Sequence, residues 1–379
     1  MENLVNLLNY GQSYWLDNLT RQKITSGEIK KRVNEQGLRG ITSNPSIFDK
    51  AFTAGHEYDE QIKKLAKEGK STQEIYEALT VKDVQDACDI LKPVYEQSDR
   101  TDGFVSLEVS PFLARDTQGT MEEARRLYKA VNRANCYIKI PGTKEGVPAI
   151  EEMLYEGINI NITLLFSIAS YEAVAQAYLR ALKRRLAEGK SLSSTVSVAS
   201  FFLSRIDVLC DQLLSEYSMP TNALDSGVRP DLLMGKVGIA SAKLAYQRFK
   251  EIFGSEEWKQ LKANGAHVQR VLWASTSTKN PSYNDVMYVN SLIGPDTVNT
   301  LPDETIEAFA DHGELRRDAI EENLAEAKQV FEQLKKYGID LQVVTQQLEN
   351  EGIQKFVDSF NKLMEGLAEK RAKVLGSED

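Results

Sequence analysis

The sequence predicts an α/β protein built as a (β/α)8 barrel, one domain spanning residues 1–379 with additional helices. Three observations predict it. Short runs rich in β-branched residues recur eight times, the stretches between them carry apolar residues at helical spacing, and several of the runs alternate strictly between apolar and polar side chains. Strands that alternate with helices favour parallel pairing through right-handed crossovers, and eight such units close into a TIM barrel.

The predicted strands are residues 14–19, 38–42, 104–109, 136–140, 158–164, 194–199, 271–276 and 297–301. Helical spacing fills most intervals, as at 120–135, 170–188 and 303–335. Two intervals, near 48–102 and 205–269, exceed one crossover and predict helical insertions, and a charged helical segment at 353–374 packs over the barrel or frays. Each strand has two readable faces. In the run from Ile158 to Leu164 the aliphatics share one face, leaving Asn159, Asn161 and Thr163 on the other. Val105, Leu107 and Val109 oppose Ser106 and Glu108, and Ile138 and Ile140 turn Lys139 inward. Glu108, Lys139 and Thr163 are therefore expected to meet in the lumen.

Composition removes several classes of function. With 46 Lys+Arg against 55 Asp+Glu the net charge is -9, a poor field for nucleic acid or an anionic membrane. An anionic ligand must then be gathered by local cations. The three cysteines, Cys88, Cys136 and Cys210, form neither a disulfide framework nor a metal motif, which suits a cytoplasmic protein. No apolar run approaches the roughly 18 residues of a membrane span, and the residues Met1-Glu2-Asn3-Leu4-Val5-Asn6 lack the basic character of an export signal. Phosphate-loop and zinc-binding spacings are incomplete, so neither nucleotide nor metal is expected. The basic run Lys183-Arg184-Arg185 reads as a solvated helix face.

An inward lysine beside a glutamate fits either a structural ion pair or covalent catalysis. A lysine amine has an ordinary pKa of about 10.4, so attack on a carbonyl requires surroundings that favour its neutral form. Once formed, an iminium withdraws electrons and lets the adjacent C–C bond break or form. A glutamate and a threonine can hold the water that such chemistry exchanges.

Five segments in this order resemble the transaldolase family, in its longer-chain branch: Trp15-Leu16-Asp17, Gly40-Ile41-Thr42-Ser43-Asn44-Pro45-Ser46, Ser106-Leu107-Glu108-Val109, Ile138-Lys139-Ile140-Pro141 and Asn161-Ile162-Thr163-Leu164-Leu165-Phe166-Ser167. The resemblance implies a cofactor-free transferase of the pentose phosphate pathway that acts through a lysine Schiff base. It would move a dihydroxyacetone unit from sedoheptulose 7-phosphate or fructose 6-phosphate to glyceraldehyde 3-phosphate or erythrose 4-phosphate. Its partners would be these small sugar phosphates, and it implies no oligomeric state.

By the same resemblance Lys139 is the nucleophile, Asp17 the acid/base on the donor hydroxyl, and Glu108 with Thr163 the pair that handles water. Asn44 would orient sugar hydroxyls, although alone it reads as a turn former, and Asp17 alone reads as a cap or turn residue. After the sixth strand, Ser200 would meet the dihydroxyacetone unit and Arg205 would grip phosphate. Many family members carry a second arginine after the seventh strand, where this chain offers Lys279, a charge without the guanidinium fork. The related small fructose-6-phosphate aldolases typically have glutamine at the position of Glu108 and tyrosine at that of Phe202. The residues here side with transfer.

Overall fold

The computed structural model describes residues 2–217 and 229–376. Eight parallel strands close into a barrel in sequence order: β1 Gln12–Leu16, β2 Gly40–Ile41, β3 Phe104–Glu108, β4 Cys136–Pro141, β5 Ile160–Leu165, β6 Ser197–Phe202, β7 Arg270–Ala274 and β8 Thr297–Leu301. β1 pairs with β8, which removes both sheet edges. The predicted class is thus borne out, with local corrections.

β1 ends at Leu16 rather than at residue 19, so Asp17 stands just past the strand, its amide held by Leu301 O. β2 shrinks to two residues. Its Gly40 lies against the Trp15 indole, where a Cβ would come within 2.5 Å of the ring. β6 runs three residues later than expected, which puts Ser200 and Phe202 on the strand instead of after it. Strict alternation also fails in β5. Leu164 adopts a left-handed φ of 59° and the register with β6 shifts between Ile162 and Leu165, a bulge of the kind that redirects side chains near sites.

The expected helix at 303–335 is three pieces, Asp303–His312, the short turn Ala319–Glu321 and Leu324–Lys336, separated where Asp318 and Asn323 take left-handed backbone. The interval 48–102 contains the helices Asp59–Lys67 and Thr72–Gln97, and the helix before them, Pro45–Ala54, starts at the rim of the barrel. The interval 205–269 contains most of Ser204–Tyr217, then Val237–Ile252 and Glu256–Ala263; residues 218–228 of that insertion lie outside the described residues. The basic run is only partly solvated, because Arg185 is buried and donates to Tyr155 O and Ser191 O. The C-terminal helix begins well before residue 353 and spans Leu341–Gly376. Its buried residues Val344, Leu348, Phe356, Phe360, Leu363 and Leu367 form one stripe, packed chiefly along Pro45–Ala54. Among the described residues no helix is long and apolar enough to cross a membrane.

Inside the barrel the register sets Glu108 level with Lys139 and Lys139 level with Asn161. Toward the N-terminal ends of the strands, Asp102 is enclosed by Ser13 Oγ at 2.6 Å, Arg270 Nη2 at 2.8 Å, Arg39 Nε at 3.0 Å and Trp15 Nε1 at 3.1 Å.

Candidate active site

The C-terminal ends of the strands surround a cavity of about 210 Å3. Asp17, Asn44, Lys139, Thr163, Ser200, Phe202, Arg205 and Lys279 all line it. Glu108 stands beside Lys139 at its floor, its Oε2 3.4 Å from Nζ. All nine site residues expected from the sequence therefore converge, and they sit where (β/α)8 barrels carry their chemistry.

Lys139 is held from two sides, since its Nζ also donates to Ser43 O at 3.2 Å. Burial pushes the Glu108 carboxyl above its usual range, Lys139 pulls it down and Asp17 pushes it up again. The same burial raises Asp17, against the pull of Lys139, a 2.7 Å hydrogen bond from Thr42 Oγ1 and the weaker pull of Lys279. Two carboxyls beside one amine, both raised by burial, are suited to exchanging protons with a bound substrate. Glu108 Oε1 and Thr163 Oγ1 are buried without a partner among the described residues, which leaves each able to hold a water or a substrate hydroxyl.

The polar wall continues from Thr163 to Ser200, which donates to Asn161 Oδ1 at 2.7 Å, while Asn161 donates to Ser106 Oγ at 3.0 Å. Asn44 does two jobs. Its Oδ1 accepts from Ile47 N at 3.2 Å and caps the helix Pro45–Ala54, leaving the amide NH2 for the cavity. The turn-forming and ligand-facing readings are thus compatible.

Arg205 lies in the first turn of Ser204–Tyr217, mostly buried, with Nη1 lacking a hydrogen-bond partner among the described residues. Burial lowers the pKa of its guanidinium while nearby Glu351 opposes that shift. Its Cζ sits 5.6 Å from the Phe202 ring centroid. A guanidinium with an open donor beside a helix N-terminus is a physical match for phosphate. Lys279 is more exposed and donates to Ser277 Oγ at 2.6 Å.

Sequence reasoning missed three contributors. Thr42 and Thr300 share a 2.7 Å hydrogen bond that fixes the hydroxyl bonded to Asp17. Thr42 lies inside the segment from Gly40 to Ser46, and its polarity at a strand end was the available signal. Phe356 also lines the cavity, from the C-terminal helix. Nothing local marks it, because its apolar spacing matches the rest of its stripe. Among the described residues no group of three or more His, Cys, Asp or Glu side chains could hold a metal ion.

Residues 14–367 match the family described as Transaldolase/Fructose-6-phosphate aldolase. The chain is 50% identical over 378 residues to Transaldolase 2 of a Nostoc species, covering 99% of each chain. It is 49% identical over 373 residues to the Transaldolase of Trichodesmium erythraeum, covering 98% of each. With the Transaldolase of Mycolicibacterium paratuberculosis it shares 46% identity over 364 residues, 96% of this chain and 95% of the relative.

Proposed function

The chain belongs to the transaldolase/fructose-6-phosphate aldolase family, and from that premise we propose that it is a transferase carrying a dihydroxyacetone unit between sugar phosphates on Lys139. The supporting observation is the setting of Lys139 Nζ, in one small cavity with Asp17 and Arg205 and 3.4 Å from Glu108. Sedoheptulose 7-phosphate or fructose 6-phosphate would be the donor, and glyceraldehyde 3-phosphate or erythrose 4-phosphate the acceptor, as in the pentose phosphate pathway. Three buried, free cysteines suit a cytoplasmic setting.

The amine of Lys139 adds to the donor carbonyl, and the carbinolamine loses water to give an iminium. Glu108 and Thr163 hold that water and move its protons. Asp17 takes the proton of the hydroxyl next to the scissile bond. The C–C bond breaks, its electron pair flows into the iminium, and an aldose phosphate leaves. The enamine carbon then attacks the acceptor aldehyde, Asp17 returns the proton, and water releases the new ketose. Arg205, assisted by Lys279, grips the phosphate, while Asn44 and Ser200 orient hydroxyls.

Fructose 6-phosphate with borohydride tests this reading, because only a Schiff base is reducible in that way. A dihydroxyacetone-derived mass is expected on the one peptide that contains Lys139. Lys139→Ala should remove the adduct and lower turnover by at least about 10^4-fold. Labelling of another lysine, or undiminished turnover, would refute the assignment.

A further inference from the structure

Phe356 stands beside Lys139 and has no task in the reaction scheme. It is 9% exposed, it lines the cavity, and its ring centroid lies 5.7 Å from Nζ. We propose that Phe356 is a specificity-determining residue: its ring roofs Lys139 on the solvent side and keeps water from the bound three-carbon unit, so that the unit is transferred and not released. The proposal rests on Lys139 being the nucleophile.

The helix that carries Phe356 is fitted closely to this spot. One turn earlier stands Gly352, where a Cβ would meet Leu164 Cδ2 at 3.0 Å and Arg205 Nη1 at 3.5 Å. Glycine inside a helix costs about 1 kcal/mol relative to alanine. Here its lack of a side chain lets the helix settle onto the phosphate-gripping arginine. One turn later Phe360 packs edge-on to Tyr76 at 5.2 Å. Lys362 pairs with Asp49 at 3.0 Å, and Lys370 donates to Phe52 O and Gly55 O, so the helix is tied to the segment that follows Asn44. The ring is therefore held over Lys139 from both sides along its helix.

After the aldose leaves, the enamine on Lys139 has two fates. Its carbon can attack an aldehyde, which is transfer. Alternatively that carbon takes a proton, water adds to the resulting iminium with oxygen to carbon and hydrogen to nitrogen, and the carbinolamine collapses to the free lysine and dihydroxyacetone. A phenyl ring offers neither donor nor acceptor to such a water, and its electron-rich face attracts positive charge on the lysine nitrogen. Water needed for the productive steps is handled by Glu108 and Thr163.

The test compares dihydroxyacetone release from fructose 6-phosphate alone with heptulose phosphate formation when erythrose 4-phosphate is added, using the full chain. Phe356→Ala should raise the ratio of release to transfer roughly tenfold or more while the borohydride adduct on Lys139 persists. Phe356→Leu, which keeps apolar bulk, should stay close to the parent ratio. Phe356→Tyr, whose hydroxyl can hold water, should raise it, and this pair carries the test if the alanine variant does not fold. Equal changes in release and transfer would overturn the proposal, since damage to packing alone slows both together. An adduct missing from the unmodified protein would instead sink the proposed function.

Discussion

At the N-terminal end of the strands Asp102 receives four donors, two of them guanidinium groups; at the C-terminal end Lys139 has one carboxylate at 3.4 Å whose second oxygen has no partner among the described residues. Both clusters are buried in the same lumen. Burial alone would raise Asp102, yet Arg270, Arg39 and the bond from Ser13 hold its carboxyl below the usual range. In the upper cluster burial wins, and both Asp17 and Glu108 are raised. Asp102 is satisfied and serves the barrel. The upper end keeps donors and acceptors unspent, and that is where a substrate can supply what the protein withholds.

Removing charge should therefore have opposite consequences at the two ends. The largest effect is expected for Asp102→Asn, which strands Arg39 and Arg270 in the lumen. Breaking a buried pair in this way costs about 3–5 kcal/mol. A clear fall in the thermal midpoint at pH 7 should appear, with turnover per folded molecule little changed. A midpoint that did not move would show that the enclosure of Asp102 contributes nothing to stability.

A pH series sharpens the contrast. A carboxyl lowered on folding contributes stability that is present above its unfolded pKa of about 3.9 and is lost as pH falls through the folded value. Asp102 belongs here, so the penalty of Asp102→Asn should shrink under acid. A carboxyl raised on folding works the other way. Its cost is absent below about pH 3.9, grows as pH rises toward the folded value and is complete above it. Asp17→Asn should accordingly leave the protein as stable as the parent or more so at pH 7, with the gain fading near pH 4 while activity is lost throughout. Thermal midpoints of both variants from about pH 2 to 8 would decide it, and an Asp17→Asn protein less stable than the parent at pH 7 would erase the contrast.

Much of both ends was legible in the chain because barrel strands advertise their faces. Alternation alone brought Glu108, Lys139 and Thr163 inward, and the family resemblance supplied roles for Asp17, Asn44, Ser200 and Arg205 that local pattern leaves ambiguous. What stayed hidden was tertiary. Asp102 follows a helix and reads as a loop residue, and its counter-charges arrive from far away in sequence, Arg39 from just before β2 and Arg270 from the start of β7. Phe356 belongs to a helix whose stripe contains other aromatics, so only packing distinguishes the ring above Lys139 from those on the helical shell. The bulge at Leu164 breaks an alternation that the sequence displays without interruption.

The smallest effect concerns the two cations on the cavity wall, which repeat the comparison on a finer scale. Arg205 is mostly buried with an open donor, whereas Lys279 is exposed and already bonded to Ser277. A charge-assisted hydrogen bond made in a desolvated site is worth more than one screened by solvent, so Arg205→Ala should discriminate against phosphorylated acceptors by roughly 100-fold and Lys279→Ala by no more than about tenfold. Both ratios are taken against an unphosphorylated aldehyde, which separates phosphate recognition from general damage. Lys279 also helps to lower Asp17, so its removal should raise the Asp17 pKa and move the acid limb of turnover to slightly higher pH. Lys279→Arg preserves the charge and adds a fork, and it should keep the limb in position while tightening phosphate binding a few-fold. If Lys279→Ala weakens phosphorylated and unphosphorylated acceptors equally and the limb still shifts, Lys279 acts through Asp17 alone, and Arg205 is left as the phosphate ligand.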